Sequence, residues 1–251
     1  MTENERPTTG LVSLVGAGPG DPQLITRGGL DRLRRAEVVV YDALADRRLL
    51  DEAPGAELID VGKRARHHKL TQDQINDVLI DRAKRGRRVV RLKGGDPYLF
   101  GRGAEEMAAV AEANVPCEMI PGITAGVAAP AMAGIPVTHR QCASTVTFIT
   151  GHEDPTKPDS AVDYHALASL AKRGGTLGFY MGVGRLKVIA DTLIDAGLGG
   201  DTPAAVVQWG TLPRQRSVKA SLNTIADRAA AANVAAPAIV VVGPVAALDE
   251  P

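Results

Sequence analysis

The sequence predicts an α/β protein of two domains, with a parallel five-stranded sheet in residues 1–120 and a mixed sheet in residues 121–251. Three observations carry this. Short apolar, β-branched runs alternate with helix-patterned stretches along the chain, the pattern of strands joined by helical crossovers. The Pro- and Gly-marked stretch PGITAGVAAPAMAGIP at 121–136 separates two halves of similar length. In the second half two strand-like runs are joined only by TLP, too short for a crossover, so that pair runs antiparallel.

In the first half the strands are LVSLVG at 11–16, VVVYD at 38–42, ELIDVG at 57–62, VVRLK at 89–93 and CEMI at 117–120. The clearest helix opens at Thr71, where Gln74 three residues on completes a capping box. It places Ile75, Val78, Leu79 and Ala83 on one face and stops at Gly86. In the second half TVTFITG at 145–151, TLGFYMG at 176–182, AAVVQWG at 204–210, RQRSVKASL at 214–222 and AIVVVG at 238–243 read as strands. Open parallel sheets bind ligands beyond the carboxyl ends of their strands. GAGPGDP, Asp42, Gly62-Lys63 and Gly94-Gly95-Asp96 all fall there, so four loops share one rim.

Composition narrows the function. The chain has 251 residues, 45% hydrophobic and 23% charged, with 29 Lys plus Arg against 29 Asp plus Glu, ample for two apolar cores. No apolar run reaches the ~18 residues that span a bilayer, and MTENERPTTG lacks the apolar segment of a signal peptide, so a cytoplasmic protein without membrane contact is expected. Cys117 and Cys142 stand apart and read as small buried hydrophobes. His67 and His68 have no third ligand at metal spacing, so no metal site is expected. Residues 62–93 carry eleven Lys or Arg against three Asp, a local excess of eight. One Trp, four Tyr and three Phe offer few stacking platforms, which argues against nucleic acid. The excess is then either a solvated face or a surface for a small polyanion.

Two glycine loops carry most of the chemistry. GAGPGD at 16–21 follows a strand, with Asp42 about 20 residues later, much like a dinucleotide fingerprint. The third glycine is replaced by Asp21, whose carboxylate would repel a pyrophosphate. In RLKGGDPYLFGRGAEE at 91–106, Gly94 and Gly95 remove side chains at a strand end, letting backbone N–H groups approach a ligand.

In this order, GAGPGDP, VGKR, GGDP, PGITA, GIPVTHR, FYMG and QRSV resemble the S-adenosylmethionine-dependent tetrapyrrole methylases from about residue 11 to 245. VVVYDALA, VGKRARHH and QDQINDVL are most similar to the uroporphyrinogen-III C-methyltransferase branch. The resemblance implies two αβα domains with the active site in the cleft between them and a homodimer. It implies two successive methylations of uroporphyrinogen III, at C2 and C7, through precorrin-1 to precorrin-2, on the way to sirohaem or cobalamin. Uroporphyrinogen carries eight carboxylates, which favours the polyanion reading of the basic run. YDALA and GRGAEE depart from the common YDxLV and GRGGEE by small-for-small changes.

Carried over residue by residue, the resemblance assigns the methyl donor, S-adenosylmethionine, to Pro19, Gly94, Gly95, Asp96, Leu99, Thr124, Ala125, Met181, Gly210 and Ala238. Met181 reads from its apolar strand as core, so its donor contact rests on the resemblance alone. The chemistry needs an in-line approach of a pyrrole carbon to the sulfonium methyl and removal of a ring proton. The resemblance makes Asp42 the proton acceptor and Lys63 the donor; read by themselves they are a turn cap and a surface cation. Glu105, one helical turn beyond Arg102, competes as base, and Arg102 and Arg140 are candidate carboxylate anchors. A nicotinamide-dependent dehydrogenase, a tetrapyrrole carrier and a sister methylase acting on a later cobalamin precursor are the alternatives.

Overall fold

The computed structural model describes residues 9–62, 70–153 and 160–248. The chain forms two compact units, Met1–Thr124 and Ala125–Pro251. The first is built on a five-stranded parallel sheet of β1 (Leu11–Gly16), β2 (Val38–Tyr41), β3 (Glu57–Asp60), β4 (Arg88–Lys93) and β5 (Cys117–Ile120), in the order β3-β2-β4-β1-β5. Every residue of β2 is buried, as a central parallel strand covered on both faces requires. Alternation then splits the core. Val12, Leu14, Val38, Val40 and Val89 face α2 (Gln72–Lys84) and α3 (Gly103–Glu112). Val15, Val39, Tyr41, Val90 and Leu92 face the other way, toward Leu33 of α1 (Arg27–Arg34) and Leu49.

The expected capping box is present: Thr71 Oγ1 accepts from the Gln74 N–H, and the Gln74 side chain accepts from the Thr71 N–H. Ile75, Leu79 and Ala83 are buried, Val78 is half-buried, and Gly86 takes φ +77° just past the helix end.

The second unit carries a mixed sheet of β6 (Val146–Thr150), β7 (Thr176–Tyr180), β8 (Pro203–Gln208), β9 (Arg216–Ser221) and β10 (Ala238–Val242), ordered β6-β7-β10-β8-β9. Only the β6–β7 pair is parallel; β8 and β9 pair antiparallel, as the short connection demands. One face packs α5 (Tyr164–Lys172), α6 (Leu186–Asp195) and α7 (Ile225–Ala231) over Phe179, Leu177, Val206 and Val240. The other face packs α4 (Ala125–Ala131) through Ala129 against Val207, Ile239 and Val241.

Several expectations are corrected. The strands expected to end at Asp42, Gly62, Gly182 and Gly210 stop at Tyr41, Asp60, Tyr180 and Gln208. Met181 and Trp209 adopt φ +55° and +51°, which a strand cannot continue through. Cys117 and Cys142 are free and half-buried, not fully buried. Three arginines of the basic run are paired within their own unit: Arg82 with Glu57 and Asp81, Arg85 with Asp81, and Arg88 with Glu37. Arg88, Glu57 and Glu37 stand at or just before strand starts, the edge opposite the ligand loops. These arginines are a solvated, internally paired face, and do not supply a polyanion surface.

Candidate active site

In the first unit the loops after β1, β4 and β5 lock together by backbone contact. Gly18 and Gly95 form an isolated antiparallel bridge, with the Gly95 N–H donating to Gly18 O at 2.7 Å. A Cβ on Gly122 would lie 2.2 Å from Gly95 O, and one on Gly16 would lie 2.5 Å from Gly122. Gly95 sits at φ +67°, where glycine is favoured. Its N–H donates to Gly18, so Gly95 also joins the two loops through its backbone. Gly94 is required by Leu44, whose Cβ would be 2.6 Å away.

Asp96 completes this lock: one carboxylate oxygen accepts from the Tyr98 N–H at 2.8 Å and the other from the Gly122 N–H at 3.1 Å. Asp21 accepts from the Gln23 N–H and caps the short turn Pro22–Leu24, so the residue that spoils the dinucleotide motif is a structural cap. Pro19 and Leu99 lie half-buried in the loops so joined.

Asp42 follows β2 directly. One carboxylate oxygen accepts from the Leu44 N–H at 3.0 Å, and the other lies 3.6 Å from the Arg91 guanidinium, with the side chain 27% exposed. Asp42 is therefore both a turn cap and one arm of an ion pair, open enough to meet a substrate. Lys63, expected as its proton-donating partner, lies outside the described residues, as do His67 and His68.

Glu105 and Arg102 are exposed and pair with each other at 2.5 Å across one helical turn. Arg102 enters the helix with φ +58° and no side-chain cap. The sequence reading passed over Glu106. In α3 the buried positions are Gly103, Glu106 and Val110, so Glu106 faces the core and Glu105 faces outward. Glu106 is fully buried, and a single oxygen accepts from Lys93 Nζ at 2.9 Å, Gln72 Nε2 at 3.1 Å and Arg91 Nε at 3.2 Å. Burial and the neighbouring Arg91 charge push the Lys93 ammonium below its ordinary range. The signal was available: Arg91 and Lys93 alternate on one face of a central strand and demand a buried acid.

In the second unit, Ala125, Met181, Gly210 and Ala238 gather at one end of the sheet. The β10–β8 register places Ala238 opposite Gln208, and the β10–β7 register places Ile239 opposite Tyr180. The Tyr180 hydroxyl accepts from the Gly126 N–H at 2.7 Å, tying α4 to the same end. A Cβ on Gly210 would lie 2.2 Å from the Ala129 Cβ. Met181 is 50% exposed, so the core reading of that residue is corrected. Met181, Trp209 and Thr211 all hold positive φ beside one another at these strand ends, a concentration of backbone strain typical of binding sites. The small residues Ala125, Gly210 and Ala238 leave room at this strand end that bulky side chains would fill. Thr124 precedes α4, and Arg140 is exposed between the bridged residues His139 and Ala143.

Comparison with known proteins decides the family: residues 11–226 match the tetrapyrrole (corrin/porphyrin) methylases. The chain belongs to that family. Among tetrapyrrole methylases it is 50% identical to the S-adenosyl-L-methionine-dependent uroporphyrinogen III methyltransferase of Methanosarcina barkeri, over 96% of this chain and 94% of that protein. The crystal structure of the Thermus thermophilus uroporphyrin-III C-methyl transferase complexed with S-adenyl homocysteine superposes with a TM-score of 0.79 at 37% identity, covering 94% of this chain and 98% of that one. A cobalt precorrin-4 methyltransferase superposes with a TM-score of 0.83 at 29% identity, covering 95% and 96%. The fold is thus common to several tetrapyrrole methylases.

Proposed function

We propose that this tetrapyrrole methylase transfers methyl groups from S-adenosylmethionine to C2 and C7 of uroporphyrinogen III, giving precorrin-2 by way of precorrin-1. The observation that carries this is the match to the Methanosarcina barkeri uroporphyrinogen III methyltransferase along nearly the full length of both chains. The precorrin-4 enzyme shares the fold with a TM-score of 0.83 against 0.79 for the Thermus uroporphyrin-III enzyme, but at 29% identity against 37%, and the higher identity supports the uroporphyrinogen reading.

The donor contacts are assigned to Pro19, Gly94, Gly95, Asp96, Leu99, Thr124, Ala125, Met181, Gly210 and Ala238. Bound S-adenosylmethionine supplies an electrophilic methyl on a sulfonium. The ring carbon's electron pair forms the new C–C bond as the S–CH₃ bond breaks, leaving neutral S-adenosylhomocysteine. The cationic ring then loses a proton, which Asp42 accepts on its carboxylate. Arg102 and Arg140 are assigned to the substrate carboxylates, Glu105 is the rival base, and Lys63 is the matching acid. No described helix is long and apolar enough to cross a membrane; a cytoplasmic homodimer completes the reading, and light scattering tests the dimer.

Incubation with uroporphyrinogen III and S-adenosylmethionine, followed by mass spectrometry, is expected to show two added methyl groups. A product unchanged in mass, with methylation only of a precursor already bearing these groups, would assign the chain to a later step.

A further inference from the structure

Arg91, Lys93, Glu106 and Asp42 form a charge cluster at the carboxyl edge of the first sheet, and the reaction as written uses only Asp42. Arg91 joins the other members. Its side chain is 4% exposed, its Nε donates to Glu106, its Nη1 donates to the carbonyls of Val40 and Leu92, and its Nη2 faces Asp42. Glu106 spends its three bonds on one oxygen, while the other, Oε2, is buried without a hydrogen-bond partner. A buried ionic cluster is a poor device for stability, since well-packed apolar residues of the same volume often serve as well. An orphaned buried carboxylate oxygen calls for a reason other than packing.

Charge balance supplies one. The two cations and two carboxylates cancel while Asp42 is ionised. Once Asp42 takes a proton the cluster holds one uncompensated positive charge; without Glu106 it would hold two, beside the group that must accept the proton. We propose that Glu106 is a positioning residue for methyl transfer, acting through Arg91 to fix the Asp42 carboxylate where it takes the proton. This rests on the reading of Asp42 as the proton acceptor. The described charged groups around Asp42 are Arg91 and Lys93 from β4, Glu106 from α3, and Asp60 at the adjacent end of β3, which accepts from the Gly62 N–H and pairs with Arg47. Gln72 of α2 contributes a neutral amide.

The test compares Glu106→Gln, Arg91→Gln and the double variant Glu106→Gln/Lys93→Met in single-turnover methylation across pH. The Asp42 carboxylate is followed separately by carbon NMR of labelled aspartate, assigned with Asp42→Asn. Glu106→Gln adds net positive charge, so the acidic limb and the Asp42 titration move down by about one pH unit, and the plateau rate falls roughly threefold to tenfold. Arg91→Gln moves both upward. The double variant restores the net charge and returns them to the native position, a rescue that a purely structural role does not produce. S-adenosylhomocysteine affinity stays native in all three and certifies the fold. A limb and titration that stay in place in folded Glu106→Gln and in Arg91→Gln overturn the proposal while leaving Asp42 as base. Full turnover in Asp42→Asn removes the base, and with it the role given to Glu106.

Discussion

At the residue scale the sharpest choice is between two carboxylates. Asp42→Asn and Glu105→Gln each keep shape and remove basicity, so geometry is largely controlled. Asp42 is anchored by the Leu44 N–H and Arg91, whereas Glu105 is an exposed helix residue already paired with Arg102. Asp42→Asn should therefore lose roughly 10²- to 10⁴-fold in single-turnover rate with donor affinity retained, and Glu105→Gln much less. The reverse ranking would transfer the base role to Glu105. A second prediction concerns stability. Glu106→Ala leaves Arg91 and Lys93 buried without their acid and should cost about 3–5 kcal/mol in urea unfolding. The strand-end positions of the candidate site residues were legible because chain order alone places them there. Glu106 escaped because neighbouring acids on a short helix look alike until the buried face is known, and Val110 fixes that face.

At the scale of elements, the glycines act between loops. Gly210→Ala drives a Cβ into Ala129 of α4, and that backbone cannot retreat as a flexible side chain would. The variant should remain folded, because the core on the α5, α6 and α7 face of the sheet is untouched, yet lose at least tenfold in S-adenosylhomocysteine affinity by calorimetry. Native affinity would take Gly210 out of the donor site. The same scale holds the acid response. Glu118 of β5 accepts from Arg32 of α1 and from Ser13 of β1, and the guanidinium holds its carboxyl below the usual carboxylate range. A carboxyl lowered on folding contributes stability that is complete above its unfolded value, near 4.5, and is lost as pH falls through the lower folded value. The urea midpoint should drop across that acid window, and less steeply in Glu118→Gln. The strand runs and the antiparallel β8–β9 pairing came from alternation and connection length, whereas strand order and register are set by which neighbours each strand meets in the fold. Exact strand ends did not, because Met181 and Trp209 leave the sheet through positive φ, a choice imposed by neighbours.

At the scale of the whole molecule, equal numbers of acidic and basic residues mean that no global field draws in a substrate with eight carboxylates. Attraction has to come from a few local cations. Within the described part of the basic run, Arg82, Arg85 and Arg88 are tied to carboxylates of their own unit, while Arg91 and Lys93 are buried with Glu106. Arg102 and Arg140 are exposed and remain assigned to the substrate, Arg102 on condition that a substrate carboxylate displaces or joins its Glu105 partner. Exposed charges are screened within about 10 Å at 0.1 M salt and more tightly as salt rises. The KM for uroporphyrinogen III should therefore climb several-fold between low and high salt, while the KM for S-adenosylmethionine, assigned to backbone and small side chains, stays nearly level. In the double variant Arg102→Ala/Arg140→Ala the substrate KM should start higher, at a cost of about 1.5–3 kcal/mol for each charged hydrogen bond removed, and its salt dependence should flatten. Equal salt slopes for the two substrates, or a slope unchanged in the double variant, would show that these arginines do not meet the carboxylates.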